Sequence, residues 1–172
     1  MEAYRMNAKH IRFFFLSMFA FLLMSCGDDK LSENVRRLND IVENIDLDKG
    51  ASFPVDAEWA VPLWDLDGIN IVYFVDSGCS ACIGDYSDFI RIVDRIPSIG
   101  RLYCVINENH RNIVDYYIDC MGIELDAGKV LSYVEVNDYY PYGMSDGRNV
   151  LLISGNRIIS SFRFVGGTVI NR

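Results

Sequence analysis

Cys79 and Cys82, two thiols separated by two residues, are the side chains of this sequence best placed to do chemistry. They lie in Asp76-Ser77-Gly78-Cys79-Ser80-Ala81-Cys82, directly after the apolar run 69–75 and at the opening of a helical pattern. A cysteine at a helix N-terminus meets free amide N–H groups and the positive end of the helix dipole, and both stabilise a thiolate. One turn further on the same side, Cys82 is near enough for a disulfide to close with little rearrangement. Thiol–disulfide exchange requires this pairing of an accessible, low-pKa thiolate with a resolving thiol. Gly78 leaves room for another backbone to approach the attacking sulfur. The same spacing could supply half of a zinc site, with Cys104, Cys120 and His110 as remaining ligands. Structural zinc sites usually show two close-spaced ligand pairs, however, and here the second is missing. Cys104, between Tyr103 and Val105, reads as a small buried hydrophobe in a strand. Cys120, near the end of a helix, reads as core as well.

Little else in the sequence suggests catalysis. Of the two histidines, His10 falls in the N-terminal segment, and His110 reads as a solvated or capping residue near a helix start. No serine sits in G-x-S-x-G, so serine hydrolase chemistry has no support. The chain has 172 residues and a formal charge of −8. Beyond residue 25 there are 13 basic and 23 acidic residues, a net −10. With no basic stripe to neutralise phosphates, nucleic acid is not an expected partner. The hydrophobic content of 51% and aromatic content of 13% are too high for general disorder.

The elements that must position the cysteines follow from periodicity. Leu31, Val35, Leu38, Ile41, Val42 and Ile45 make one helical stripe, with Gly50 beyond its end. That helix either packs on the domain or serves as a stalk. Residues 51–68 mix Pro54, Trp59, Pro62 and Trp64 with acids and read as extended, with an edge strand among them. The run 69–75 suits a strand buried on both faces. Cys82, Ile83, Tyr86, Phe89, Ile90, Val93 and Ile96 mark one face of a helix that stops before Pro97. A second strand is expected over 101–107, then a helix over 109–121 with Gly122 as its stop, then a third strand over 129–136. A tyrosine-rich loop, Tyr139-Tyr140-Pro141-Tyr142, follows. Strands over 149–154 and 157–164 form a hairpin around Gly155-Asn156. This order predicts an α/β fold: an open sheet of parallel strands with helical crossovers, closed by an antiparallel edge.

At the N-terminus, Arg5, Lys9 and Arg12 precede an apolar run over 13–24. A helix of that length rises roughly 18 Å, short of the ~30 Å hydrocarbon core, so the run reads as a signal peptide rather than a span. Leu23-Met24-Ser25-Cys26 resembles the lipobox of bacterial lipoproteins, which implies that Cys26 is lipidated and becomes the first mature residue. The lipid chains would then hold the protein to a membrane. Gly27-Asp28-Asp29 reads equally as a surface-sorting signal or as a solvated tether. The expected organisation is signal peptide over 1–25, lipidated cysteine, tether and amphipathic helix over 26–50, and the main domain over 51–172. The expected location is the envelope of a Gram-negative bacterium.

The strand–CSAC–helix unit and the element order over residues 69–164 resemble the thioredoxin-like superfamily, particularly its lipid-anchored bacterial members. That resemblance implies a thioredoxin-like open mixed sheet with flanking helices and a C-terminal β-hairpin. It implies Cys79 as nucleophile, Cys82 as resolving cysteine, protein thiols or disulfides as partners, and no organic cofactor, while the missing second ligand pair leaves no metal expected. Gly78, Arg148, Asn149 and Tyr140 are the candidates for the substrate groove beside the cysteines. The tyrosine loop is either a lip of that groove or a cover for the sheet edge. Several positions depart from the superfamily pattern. Gly78 replaces the tryptophan that often precedes the first cysteine, and Tyr73 stands at the position of a buried acid, for which the nearer Asp76 could partly substitute, although a carboxylate there opposes thiolate formation. Arg148-Asn149 occupy the place of a cis-proline, Pro141 lies eight residues before Asn149, and only eight residues follow Phe164. Two functions are consistent with this pattern. One is a membrane-anchored thiol–disulfide oxidoreductase. The other is a catalytically weak or inactive thioredoxin-like lipoprotein serving as a binding module in a surface complex.

Overall fold

The computed structural model describes residues 29–52, 66–76, 78–122, 130–133 and 147–171. Helix α1 occupies residues 29–43. It is followed by β1 (Ala51–Ser52), β2 (Ile69–Phe74), α2 (Ser80–Val93) and β3 (Ile99–Asn107). A 3-10 turn over Glu108–His110 leads into α3 (Arg111–Met121), and then come β4 (Val130–Tyr133), β5 (Val150–Ser154), β6 (Arg157–Val165) and β7 (Thr168–Ile170). The strands form one open mixed sheet in the order β1-β6-β5-β2-β3-β4, with β7 also paired to β6. β2, β3 and β4 run parallel, while β5 is antiparallel to β2 and β6 antiparallel to β5. The expected α/β architecture with a C-terminal hairpin is therefore present.

Chain connectivity explains the order. β2 and β3 are joined through α2, which returns the chain to the same end of the sheet and so makes a parallel pair. β5 enters on the other side of β2, pairing Val72 with Leu151 and Tyr73 with Val150. β2 is thus central, and every one of its residues after Ile69 is buried. That is why the stretch reads as continuously apolar rather than alternating. The two faces separate by parity. Ile71, Tyr73 and Val75 join one core cluster, and Val72 and Phe74 join the other.

The first cluster is the larger, and all three helices contribute to it. Leu31, Leu38 and Val42 come from α1, Ile83, Tyr86, Phe89, Ile92 and Val93 from α2, and Val114 and Ile118 from α3. The stripe on α1 therefore packs on the domain instead of forming a free stalk. α2 ends before Pro97, where the N–H of Asp94 donates to the carbonyl of Ile90 at 2.9 Å. α3 ends on Gly122 at φ 64°, a left-handed conformation that favours glycine.

Two features were not anticipated. Past Val165 the chain makes a further turn at Gly166-Gly167 and returns as β7. Cys120 is also exposed rather than part of the core. The buried face of α3 is set by Val114 and Ile118, and a residue two beyond Ile118 is rotated about 200° around the helix. The predicted edge strand is present at Ala51–Ser52, antiparallel to β6. Trp59, Trp64, Cys26 and the tyrosine loop with Tyr140 lie outside the described residues. Among the described residues no helix is long and apolar enough to cross a membrane.

Candidate functional site at the cysteine pair

The cysteines sit where the central strand hands over to its crossover helix. β2 ends at Phe74, whose N–H donates to the carbonyl of Asn149 at 2.8 Å, and Val75 donates to the carbonyl of Val105 at 3.0 Å. Neighbours on both sides thus hold the chain up to Val75, and at the exposed Asp76 it leaves the sheet. The Asp76 carbonyl accepts the N–H of Cys79 at 3.1 Å, and its Oδ1 accepts the N–H of Gly78 at 3.0 Å. This turn delivers Cys79 as the N-cap of α2, in an extended conformation with φ −125° and ψ 105°.

Cys79 caps the helix with its sulfur, which accepts the N–H of Cys82 at 3.2 Å. Its carbonyl accepts from Cys82 at 3.0 Å and from Ile83 at 3.2 Å. The two cysteines are disulfide-bonded, with Cα atoms 5.2 Å apart. Both are half-buried, between the exposed Gly78 and the buried Ile83. Once reduced, the Cys79 sulfur lies against a helix N–H and at the positive end of the helix, where negative charge is stabilised. The first turn of α2 has no acidic residue to oppose that effect.

Beneath α2 lies an aromatic layer. The Tyr73 ring packs against Tyr86 at 5.1 Å and Phe89 at 5.0 Å, and Phe89 meets Phe164 at 4.9 Å between centroids. Tyr73 is 1% exposed, and its hydroxyl oxygen accepts from Nδ2 of Asn149 at 3.3 Å. The position where the superfamily carries a buried acid therefore holds a buried phenol packed among aromatic rings. Cys104 is buried next to Tyr86. Burial pushes its thiol up to about 12, only partly offset by the hydrogen bond to Tyr86 and the charge of Arg111. Burial likewise raises Tyr86, followed by its interaction with Cys104. Cys104 is consequently a protonated, inert thiol at neutral pH, as its place in an apolar strand suggested.

The groove candidates separate. Gly78 directly precedes Cys79, and its N–H donates to Asp76 Oδ1 at 3.0 Å. Asn149 borders the end of β2, but its side chain is engaged in the sheet. Its Nδ2 donates to the Phe164 carbonyl at 2.9 Å and its Oδ1 accepts from the Phe164 N–H at 2.8 Å. Arg148 extends to Ser161, with Nη1 2.7 Å from Oγ. The structure contains no cis peptide bond among the described residues, including the segment at Arg148-Asn149. His110 is exposed at the N-cap position of α3 and makes no side-chain cap there. Among the described residues no three His, Cys, Asp or Glu side chains gather into a metal-holding group.

One role and one contact were not read from sequence. Asp76, read from sequence as a partial substitute for the missing buried acid, is exposed and accepts the N–H of Gly78, a turn role that an aspartate two residues before a glycine could have signalled. Asp85, one turn beyond Cys82, accepts the N–H groups of Gly166 and Gly167, each at 2.9 Å. No local pattern marks that contact, because its partners lie on β7's turn. The mixed α/β sheet and the close cysteine pair are compatible with a thioredoxin-like fold. No family model matches the chain, and no curated protein matches it either.

Proposed function

We propose that the chain is a thioredoxin-like thiol–disulfide oxidoreductase, held to a membrane through lipid on Cys26 and acting on protein thiols or disulfides outside the cytoplasm. The observation that carries this reading is the seating of the Cys79 sulfur at the N-cap of α2, 3.2 Å from the N–H of its own disulfide partner. Reduction leaves the Cys79 thiolate with a donor already in place. In the reducing direction, that thiolate attacks a partner disulfide and forms a mixed disulfide while one partner thiolate leaves. Cys82 then attacks the Cys79 sulfur and releases the second partner thiolate. Two electrons have passed to the partner, and the Cys79–Cys82 disulfide is restored. The oxidising direction runs the same steps backwards from the disulfide.

A second reading is favoured by Tyr73. A buried phenol with its oxygen bonded to Asn149 is a poor proton acceptor for Cys82, as suits a structural disulfide in a binding module. The reduction potential separates the two readings. A value below about −300 mV marks a structural bond, and a higher value marks a working pair. The decisive experiment is expression of Cys82→Ala with its leader in a Gram-negative host. Mixed disulfides that vanish in Cys79→Ala, Cys82→Ala support the exchange reading, and their absence at a potential below that limit overturns it. Radiolabelled palmitate incorporated by the wild type and lost in Cys26→Ala tests the anchor.

A further inference from the structure

The turn that presents Cys79 is built around one residue, through both its backbone and its side chain. Asp76 supplies two acceptors to it: its carbonyl for the N–H of Cys79 at 3.1 Å and Oδ1 for the N–H of Gly78 at 3.0 Å. A Cβ built on Gly78 would lie 3.4 Å from the same Oδ1, so the carboxylate sits directly over the residue preceding the nucleophile position. The side chain is solvent-exposed. An exposed carboxylate contributes little to a core, yet this one lies in the turn that enters the helix N-terminus, where its charge counters the stabilisation of a Cys79 thiolate.

We infer that Asp76 is the positioning residue of the cysteine pair. Its acceptor oxygen shapes the turn that makes Cys79 the helix cap, and its negative charge makes the pair more reducing. The inference rests on the exchange function proposed above and names the device that regulates that site. The two effects are separable by chemistry. A negative charge near Cys79 disfavours the thiolate and hence the reduced pair, whose stabilisation is what makes such a couple oxidising. Asp76→Asn keeps an oxygen acceptor for Gly78 and removes the charge. Asp76→Ala removes both. Charged groups on neighbouring elements among the described residues, including Arg111 paired with Glu108 and Asp115, are the same across the variants. Asp85 is held by Gly166 and Gly167, and Arg148 bonds Ser161.

Two measurements on the full-length chain test this. The first is the redox equilibrium of the Cys79–Cys82 pair in glutathione buffers, where two glutathione thiols become one glutathione disulfide as the pair gains two electrons. Asp76→Asn should shift the equilibrium constant towards the reduced pair about threefold to tenfold, the upper figure being ~30 mV. The second is the pH dependence of Cys79 alkylation with iodoacetamide in a Cys82→Ala, Cys120→Ser background. Asp76→Asn should lower the apparent pKa of Cys79. Asp76→Ala should lower it as well, but with an alkylation rate for the thiolate that differs from that of Asp76→Asn, because the turn is released. An unchanged pKa and equilibrium in Asp76→Asn overturn the charge effect, and identical behaviour of the two variants overturns the positioning effect. Alkylation is read without any partner protein. A shifted pKa with no trapped mixed disulfides therefore leaves this inference standing while the oxidoreductase reading fails.

Discussion

The side-chain amide of Asn149 grips the backbone of Phe164 at both ends, giving Nδ2 to its carbonyl at 2.9 Å and taking its N–H on Oδ1 at 2.8 Å. The same Nδ2 reaches the Tyr73 hydroxyl at 3.3 Å, and the Asn149 carbonyl accepts from Phe74. One residue thus joins the end of the central strand, from which the cysteine turn departs, to the outer strand of the hairpin. Asparagine occupies the position because an amide carries both a donor and an acceptor.

Asn149→Ala should strand both backbone groups of Phe164 and cost about 2 kcal/mol. Asn149→Asp should fare no better, since a carboxylate cannot donate to the Phe164 carbonyl. Urea unfolding monitored by tyrosine fluorescence gives the measurement, and a loss under about 0.5 kcal/mol would show the clamp to be dispensable.

Asp85 ties the cysteine helix to the β6–β7 turn, and α1 grips the same turn through Lys30 Nζ to the Gly166 carbonyl at 2.7 Å and Asn34 Nδ2 to the Gly167 carbonyl at 2.9 Å. Asp85→Ala should destabilise the fold by about 1–3 kcal/mol. Hydrogen exchange should show the loss concentrated in β7 and the N-terminal half of α2.

The glycines make a paired comparison. A Cβ at position 50 would meet the Ile158 carbonyl oxygen at 2.5 Å, where backbone faces backbone. Gly50→Ala should therefore cost about 1–3 kcal/mol, read as a lowered urea midpoint. Gly78→Ala meets no contact closer than 3.4 Å and should leave the midpoint nearly unchanged.

Cys104 predicts an alkaline limit. Its folded pKa of about 12 exceeds the ordinary value of 9.0, so the unfolded chain releases this proton first as pH rises. The stabilisation is complete below pH 9 and declines between pH 9 and 12, by at most about 1.4 kcal/mol per unit. Cys104→Ala should flatten that decline in urea titrations across the interval. In the native protein at pH 8, peptide mapping after alkylation should find Cys120 modified and Cys104 protected.

The sequence by itself determined most of the elements and the place of the close cysteine pair. A continuous apolar run announces a strand covered on both faces, and a C-x-x-C at the start of a 3.6-period pattern places a thiol at a helix end, since both are local regularities of backbone geometry. Gly122 and Gly155 marked their turns for the same reason, and each adopts a positive φ. Only the tertiary structure decided which residues hold that pair in place. Asn149 could be read as a substitute in a groove, but its amide is consumed by Phe164, fifteen residues away on a neighbouring strand. Asp85 found its partners 81 and 82 residues further on. Cys120 read as core by type, yet its position on α3, set by what Val114 and Ile118 bury, turned it to solvent. Periodicity reports which face of an element is apolar. The partners of a polar side chain depend on which distant segments the packing brings beside it.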